Sequence, residues 1–295
     1  MSKIEFPQPF NPTYRYLTGG EFIPDTVTAG VLSGLYKNAA NSYLTNIIDT
    51  SNVTNMQNAF QQCAALVAID DFDTSNVTTV QYMFQSCNRL IKVPALNTSN
   101  VTNFSRMFYG CQVLPAVPLF DTSKGTDMSE MFYNCYKLQT IPEFDFSNAN
   151  SMSSMFYGCD ALYEIPNINC KKATQLNGWT SSCYSLVKIG VIDCDSMTNA
   201  QGLAFNSNPC SSITTLGGFR NLGMKSSVSG TNGDYFLYNL VNLTKESLLN
   251  VLNLLYDRAS AGYSVLTIKM RPHHLAMLTD EEIAIATNKG WTLTT

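Results

Sequence analysis

Six cysteines, Cys63, Cys87, Cys111, Cys135, Cys159 and Cys183, lie 24 residues apart along this chain. A fixed period of that length means that one supersecondary unit has been copied. A unit too small to bury its own apolar face folds only by stacking on its neighbours. On this ruler the units begin at Asp49, Asp73, Asn97, Asp121, Asp145, Asn169 and Asp193. Positions are numbered from 1 at those residues, which makes the cysteine position 15. The early units read DTSNVTNMQNAFQQCAALVAIDDF, DTSNVTTVQYMFQSCNRLIKVPAL and NTSNVTNFSRMFYGCQVLPAVPLF. The sixth departs, with Trp179 and Thr180 where the others have Met-Phe or Ala-Phe, and the seventh has three extra residues between Leu203 and Cys210. Residues 25–48 fit weakly, with Tyr36 at the Phe position and Ala39 at the Cys position, as a worn terminal unit would.

Val53, Met56, Ala59, Phe60 and Cys63 recur at steps of three to four, which predicts one face of a short helical turn. Leu66, Ile69 and Phe72 follow at steps of three, unlike an ordinary strand. A short β-bridge is therefore expected near each L-x-x-I-P, where Pro94, Pro118, Pro142 and Pro166 turn the chain and remove a backbone donor. Phe60, Phe84, Phe108, Phe132 and Phe156, with the six cysteines, form the expected core ladder. Stacking also accounts for charged residues being only 14% of the chain. Like charges repeated about 5 Å apart repel at every step, whereas Asn, Ser and Thr can form hydrogen-bonded ladders. The Asp of D-T-S-N is expected to accept from the backbone N–H two residues on.

The ends read differently. Residues 1–24 are a Pro- and aromatic-rich arm, 25–48 a degenerate capping unit, 49–219 seven repeats and 220–295 a C-terminal cap. Within the cap, LTKESLLNVLNLLYDRA reads as a helix with Thr244 as N-cap, and SVLTIKM as a strand. LTDEEIAIATNKG reads as a second helix, with Thr279 and Glu282 forming a capping box and Gly290 at the stop.

The unit S-N-V-T-x-M-x-x-M-F-x-x-C-x-x-L-x-x-I-P resembles the BspA-like leucine-rich repeats of bacterial surface proteins, most closely at 51–70, 75–94, 99–118 and 123–142. Segments 243–248 and 278–293 are similar to the endings of such proteins from gut Bacteroidetes and their phages. The resemblance implies an α/β repeat solenoid, a leucine-rich-repeat-like right-handed coil of ~24-residue units. It would carry short strands and short helical turns and be capped at both ends. It also implies adhesion and protein interaction rather than catalysis.

A net charge of −4 and a pI near 5.2 argue against nucleic acid as a partner. No apolar stretch is long enough to cross a membrane. The N-terminus has no apolar leader segment, which predicts a virion-associated or cytoplasmic protein rather than a classically secreted one. No C-x-x-C pair suggests metal or redox work. Neighbouring coils could bring cysteines within disulfide range, but their place on an apolar face predicts buried, reduced thiols, and Cys170 and Cys194 form a second such line. The Asp/Asn ladder lacks the D-x-D-x-D density of Ca²⁺ loops, so turns are expected there. No metal or other cofactor is expected. His273 and His274 show no H-E-x-x-H spacing and lie near no nucleophile elbow, so no catalytic residue is assigned. The N-x-T triplets at Asn52, Asn76 and Asn100 belong to the repeat itself.

The candidate binding residues are tyrosines. Tyr109, Tyr133 and Tyr157 share position 13, Tyr136 and Tyr184 share position 16, and Tyr82 lies close by. Flanking core positions, they are expected to point outward as an exposed ladder. Such a ladder would offer flat apolar faces with polar tips to a protein or cell-surface glycan, or its rings would merely shield the face beneath and stack on one another. Two functions follow: a surface- or virion-exposed binding and adhesion module, or a virion structural protein anchored to neighbouring subunits by residues 1–24.

Overall fold

The repeat has a backbone cause that its apolar pattern does not display. In a computed structural model the described residues are 50–174, 176–197, 212–224 and 237–295, with the backbone of three short strands before them. Within each unit, alternate N–H groups go to two different places. Met56, Asn58, Phe60 and Gln62 donate to the carbonyls of Thr79, Gln81, Met83 and Gln85 in the next coil, at 2.7–3.1 Å. Ala59, Gln61 and Cys63 donate three residues back, to Met56, Asn58 and Phe60. The same alternation repeats through Gly158, whose N–H meets the Ser181 carbonyl. Across positions 8–15 the amides thus find partners alternately in the neighbouring coil and within their own.

This overturns the expected short helical turn. An α-helix would send each N–H four residues back. Here the chain runs as linked β-turns, and positions 10 and 14 of six successive units hold positive φ, from Asn58 (60°) and Gln62 (62°) to Gly178 (63°) and Ser182 (62°). The three-to-four spacing is real, but turns with a left-handed residue every fourth position generate it too. Most residues at these positions are not glycine, and each carries the left-handed penalty of about 1–2 kcal/mol. Gly158 is one of the exceptions, since a Cβ there would lie 2.5 Å from Asn134 Oδ1.

The expected bridge near each L-x-x-I-P is found at the ends only. The strands β1 (Tyr14–Tyr16) and β2 (Phe22–Pro24) pair antiparallel, and β3 (Tyr43–Leu44) pairs parallel with β4 (Ala68–Ile69). Later, β5 (Glu164–Ile165), β6 (Lys188–Asp193) and β7 (Thr215–Arg220) form a parallel three-stranded sheet. Between them, Ile91 donates to Val67 and Gln139 to Pro115. Pro115 has no N–H to give Ile91, so the ladder breaks there. The middle coils bridge instead at position 7, through Asn55, Thr79, Asn103, Asp127 and Ser151.

Side chains reinforce the register. Phe60, Phe84, Phe108, Phe132 and Phe156 stack with centroids 5.3–5.8 Å apart and planes within 8°. Where Thr180 replaces the phenylalanine, Trp179 takes over and meets Phe156 edge-on at 6.2 Å. The eight cysteines among the described residues are buried and form no disulfide, Cys210 lying outside them. They do more than fill space: Cys87, Cys111, Cys135, Cys159 and Cys183 each donate a thiol hydrogen, at 3.0–3.1 Å, to the phenylalanine carbonyl of the preceding coil. At position 2 the threonine hydroxyls of Thr50, Thr74, Thr98 and Thr122 donate to the carbonyl 23 residues on, and Cys170 does the same with its thiol. Burial raises the Cys111 and Cys159 thiols well above their ordinary range and pushes Cys170 up to about 12. Position 1 makes the turns: Asp73, Asn97, Asp121 and Asp145 accept from the N–H two residues on, and Asn55, Asn103 and Asp127 repeat the device at position 7.

After β7 the coil-to-coil ladder ends on a helix. In α1 (Lys245–Leu254), capped by Thr244, Ser247 Oγ accepts from Leu216 N–H and donates to the Thr214 carbonyl, satisfying an edge that a further coil would otherwise cover. Leu248, Val251 and Leu252 are buried. The strand β8 (Leu266–Lys269) pairs parallel with β9 (Trp291–Thr294), with short α2 (Pro272–Leu275) and α3 (Asp280–Thr287) between them. A capping box between Thr279 and Glu282 starts α3. Arg258 is fully buried and donates to the Gly223 and Ser264 carbonyls, which ties the connecting loops together.

Two outcomes can be measured. Replacing Ser154 (φ 53°) with glycine should raise stability by about 0.5–1 kcal/mol in urea unfolding, whereas Ser154→Val should lower it by more than that. His274 is wholly buried, and burial first, then His273 and Arg271 nearby, depresses its pKa to about 4 against the opposing pull of the Val241 carbonyl. The unfolded chain takes up this proton near pH 6.5 and the folded chain only near 4, so the stability difference is absent above 6.5 and grows as pH falls. Stability should drop by about 2 kcal/mol between pH 7 and 5. His274→Phe should remove that slope, and an unchanged slope would refute the assignment.

Candidate binding face

Positions 10 and 13 lie within two linked turns, so their side chains leave the coil on one side while positions 11 and 12 enter the core. Tyr109, Tyr133 and Tyr157 form a single column, with centroids 4.7 and 4.6 Å apart and planes within 5°. They are half-buried rather than exposed. Of the two expectations the exposed ladder is corrected in favour of the stacked one: the faces lie on one another, and the column offers ring edges and hydroxyls. Burial, followed by the neighbouring Tyr157, Tyr109 and Glu130, raises the pKa of Tyr133. Toward the earlier coils the column continues as an amide pair, Gln61 Nε2 donating to Gln85 Oε1.

Tyr82 belongs to a different column. It stands at position 10, where Arg106 lies over its ring at 5.4 Å, donates to its hydroxyl at 2.9 Å and pairs with Glu130 at 2.7 Å. Hydrogen bonding to Glu130 raises the Arg106 pKa. Arg106 and Glu130 escaped the sequence reading, although the spacing 82, 106, 130 was there to be seen. Tyr136 and Tyr184 share position 16 but are two coils apart with Asp160 between them, so the structure does not join them in a stack. Tyr184 is 51% exposed, and Tyr163, at position 19, is 56% exposed and was missed. A single aromatic at an otherwise mixed position leaves no periodic signal.

Among the described residues no group of three or more His, Cys, Asp and Glu could hold a metal ion, and no helix is long and apolar enough to cross a membrane.

The family model described as a Mycoplasma protein of unknown function, DUF285, matches residues 30–115 and 91–189. The chain belongs to the DUF285 family. The two matched stretches run from the weak first unit into the sixth repeat, so the DUF285 region contains both tyrosine columns. No curated protein matches the chain. Among solved structures it is similar to a leucine rich cell surface protein from Faecalibacterium prausnitzii A2-165, with 13% identity, 97% of this chain and 87% of that chain covered, and a TM-score of 0.44.

Removing the central ring of the DUF285 column breaks two stacks at once. Tyr133→Ala should cost about 1–3 kcal/mol in urea unfolding, and Tyr109→Ala, which breaks only one, about half as much. Equal costs would mean that the stacking contributes nothing.

Proposed function

We propose that this chain is a non-enzymatic binding protein, a BspA-like leucine-rich-repeat solenoid wound as a right-handed coil and capped at both ends. Its tyrosine-bearing side would recognise a partner on a cell or virion surface. The observation that carries this reading is the column Tyr109–Tyr133–Tyr157 beside the Tyr82–Arg106–Glu130 row. Six side chains are held in register by backbone ladders on both sides, so little conformational entropy is left to lose on contact. Tyrosine and arginine are the residues that dominate protein interfaces. Because the ring faces are already stacked, edges and hydroxyls favour a protein partner over a sugar laid flat on an aromatic plane.

The fluorescently labelled chain should bind intact target cells or particles saturably. The triple variant Tyr109→Ser, Tyr133→Ser, Tyr157→Ser should lower binding by about tenfold or more while remaining folded. Undiminished binding by the folded variant would remove this face from the function.

A further inference from the structure

The column at position 13 also brings three oxidisable rings together. Tyr109, Tyr133 and Tyr157 are 24 residues apart in sequence, yet their centroids lie 4.7 and 4.6 Å apart with planes within 5°. The backbone holds them there from both sides. Each tyrosine N–H donates three residues back, to Arg106, Glu130 and Ser154, while the Tyr133 and Tyr157 carbonyls accept from Gly110 and Asn134 of the preceding coils at 2.7 Å. We propose that this column is an oxidative modification site, at which a peroxidase-class oxidant with hydrogen peroxide joins Tyr133 to Tyr109 or Tyr157 as dityrosine. It stands apart from the binding reading, because it needs the phenols to react and not to meet a partner.

The new bond joins the ring carbons ortho to the two hydroxyls. Each phenol gives up one electron and its hydroxyl proton and becomes a phenoxyl radical, whose unpaired spin is shared with the ortho carbons. Two radicals on neighbouring rings combine there. Each joined carbon then releases its hydrogen as a proton while the phenolic oxygen on the same ring takes one up from water, which restores both rings. In sum, two phenols lose two electrons and two protons, and these reduce one hydrogen peroxide to two waters.

Proximity is the main argument. Coupling is limited by how rarely two radicals meet, and holding the partners in register raises their effective concentration by orders of magnitude. Equivalent atoms of neighbouring rings are displaced by one coil rise, a gap that side-chain motion closes. Access is the second. The three rings are half-buried, and their hydroxyls make no hydrogen bond to any described residue, so an oxidant meets the ring edges and the proton leaves to water. Burial raises the Tyr133 pKa, so at neutral pH its proton is in place to depart with the electron. Other groups that such an oxidant attacks are shielded: the eight described thiols, Trp179 and Trp291 are all buried. Tyr256 and Tyr263, by contrast, stand 6.3 Å apart with planes at 30°, and Tyr82 lies beneath Arg106. A bond between coils would restrict the unfolded chain, so the modified solenoid would resist unwinding at its centre.

The test exposes the full chain, at high dilution, to a haem peroxidase and limiting hydrogen peroxide, and separates monomer from coupled dimers. The monomer should gain the blue fluorescence of dityrosine, and its digest should hold peptides joined through Tyr133 and lighter by two hydrogen atoms. Tyr133→Phe keeps a ring in the stack but removes the reacting phenol, and should lower monomer dityrosine by about tenfold. Tyr109→Phe should leave about half, since Tyr133 and Tyr157 remain paired, and Tyr256→Phe should leave the yield unchanged. Dityrosine confined to dimers, joined peptides that lack Tyr133, or an undiminished yield from folded Tyr133→Phe would overturn the site. Cell binding is measured on the unoxidised chain, so either reading of the column can fail without the other.

Discussion

The parallel hydrogen bonds between coils are the constraint on which everything else depends. By sending every second N–H to the next coil, positions 8, 10, 12 and 14 fix the coil-to-coil spacing and register together. A one-residue slip would carry either the phenylalanines out of the core or the tyrosines into it, so the apolar core and the backbone ladder select the same register. The Phe stack, the thiol–carbonyl bonds and the Thr and Asn ladders are consequences of that register, and each adds to it. Because each element stabilises only its neighbours, drift in one coil, such as Trp179–Thr180, is absorbed locally.

The same periodicity explains the sparse charge and where charge survives. Arg106 and Glu130 occur as alternating signs with Tyr82 beneath them, and Lys188 pairs with Glu164 in the preceding coil. Exposed pairs of this kind contribute little individually. Their value is that they avoid stacking like charges. Tyrosine, glutamine and asparagine fill the remaining columns because each can stack or hydrogen-bond with a copy of itself.

Legibility followed periodicity. Phe60, Cys63 and Leu66 could be placed in the core from spacing alone, because burial repeats wherever the ruler does. The turn chemistry of Asp73 and Asp121 was readable for the same reason. Helical turns were misread because apolar spacing records which way side chains face, not the φ values that turn them. The tyrosines were found and their stacking was one of two alternatives, which an outward position alone cannot decide, since it does not say whether a ring meets solvent or another ring. Tyr163 left no signal, because a lone exposed aromatic at an otherwise mixed position does not recur with the ruler.

By itself the sequence determined the period, the core columns and the family-like unit, because these depend only on residue types recurring at fixed separation. The tertiary structure decided the linked turns in place of helices, the thiol donors, and which outward columns close upon themselves. Those outcomes depend on backbone φ and on distances of a few ångströms between residues 24 apart, and both take their values only once the coils are stacked.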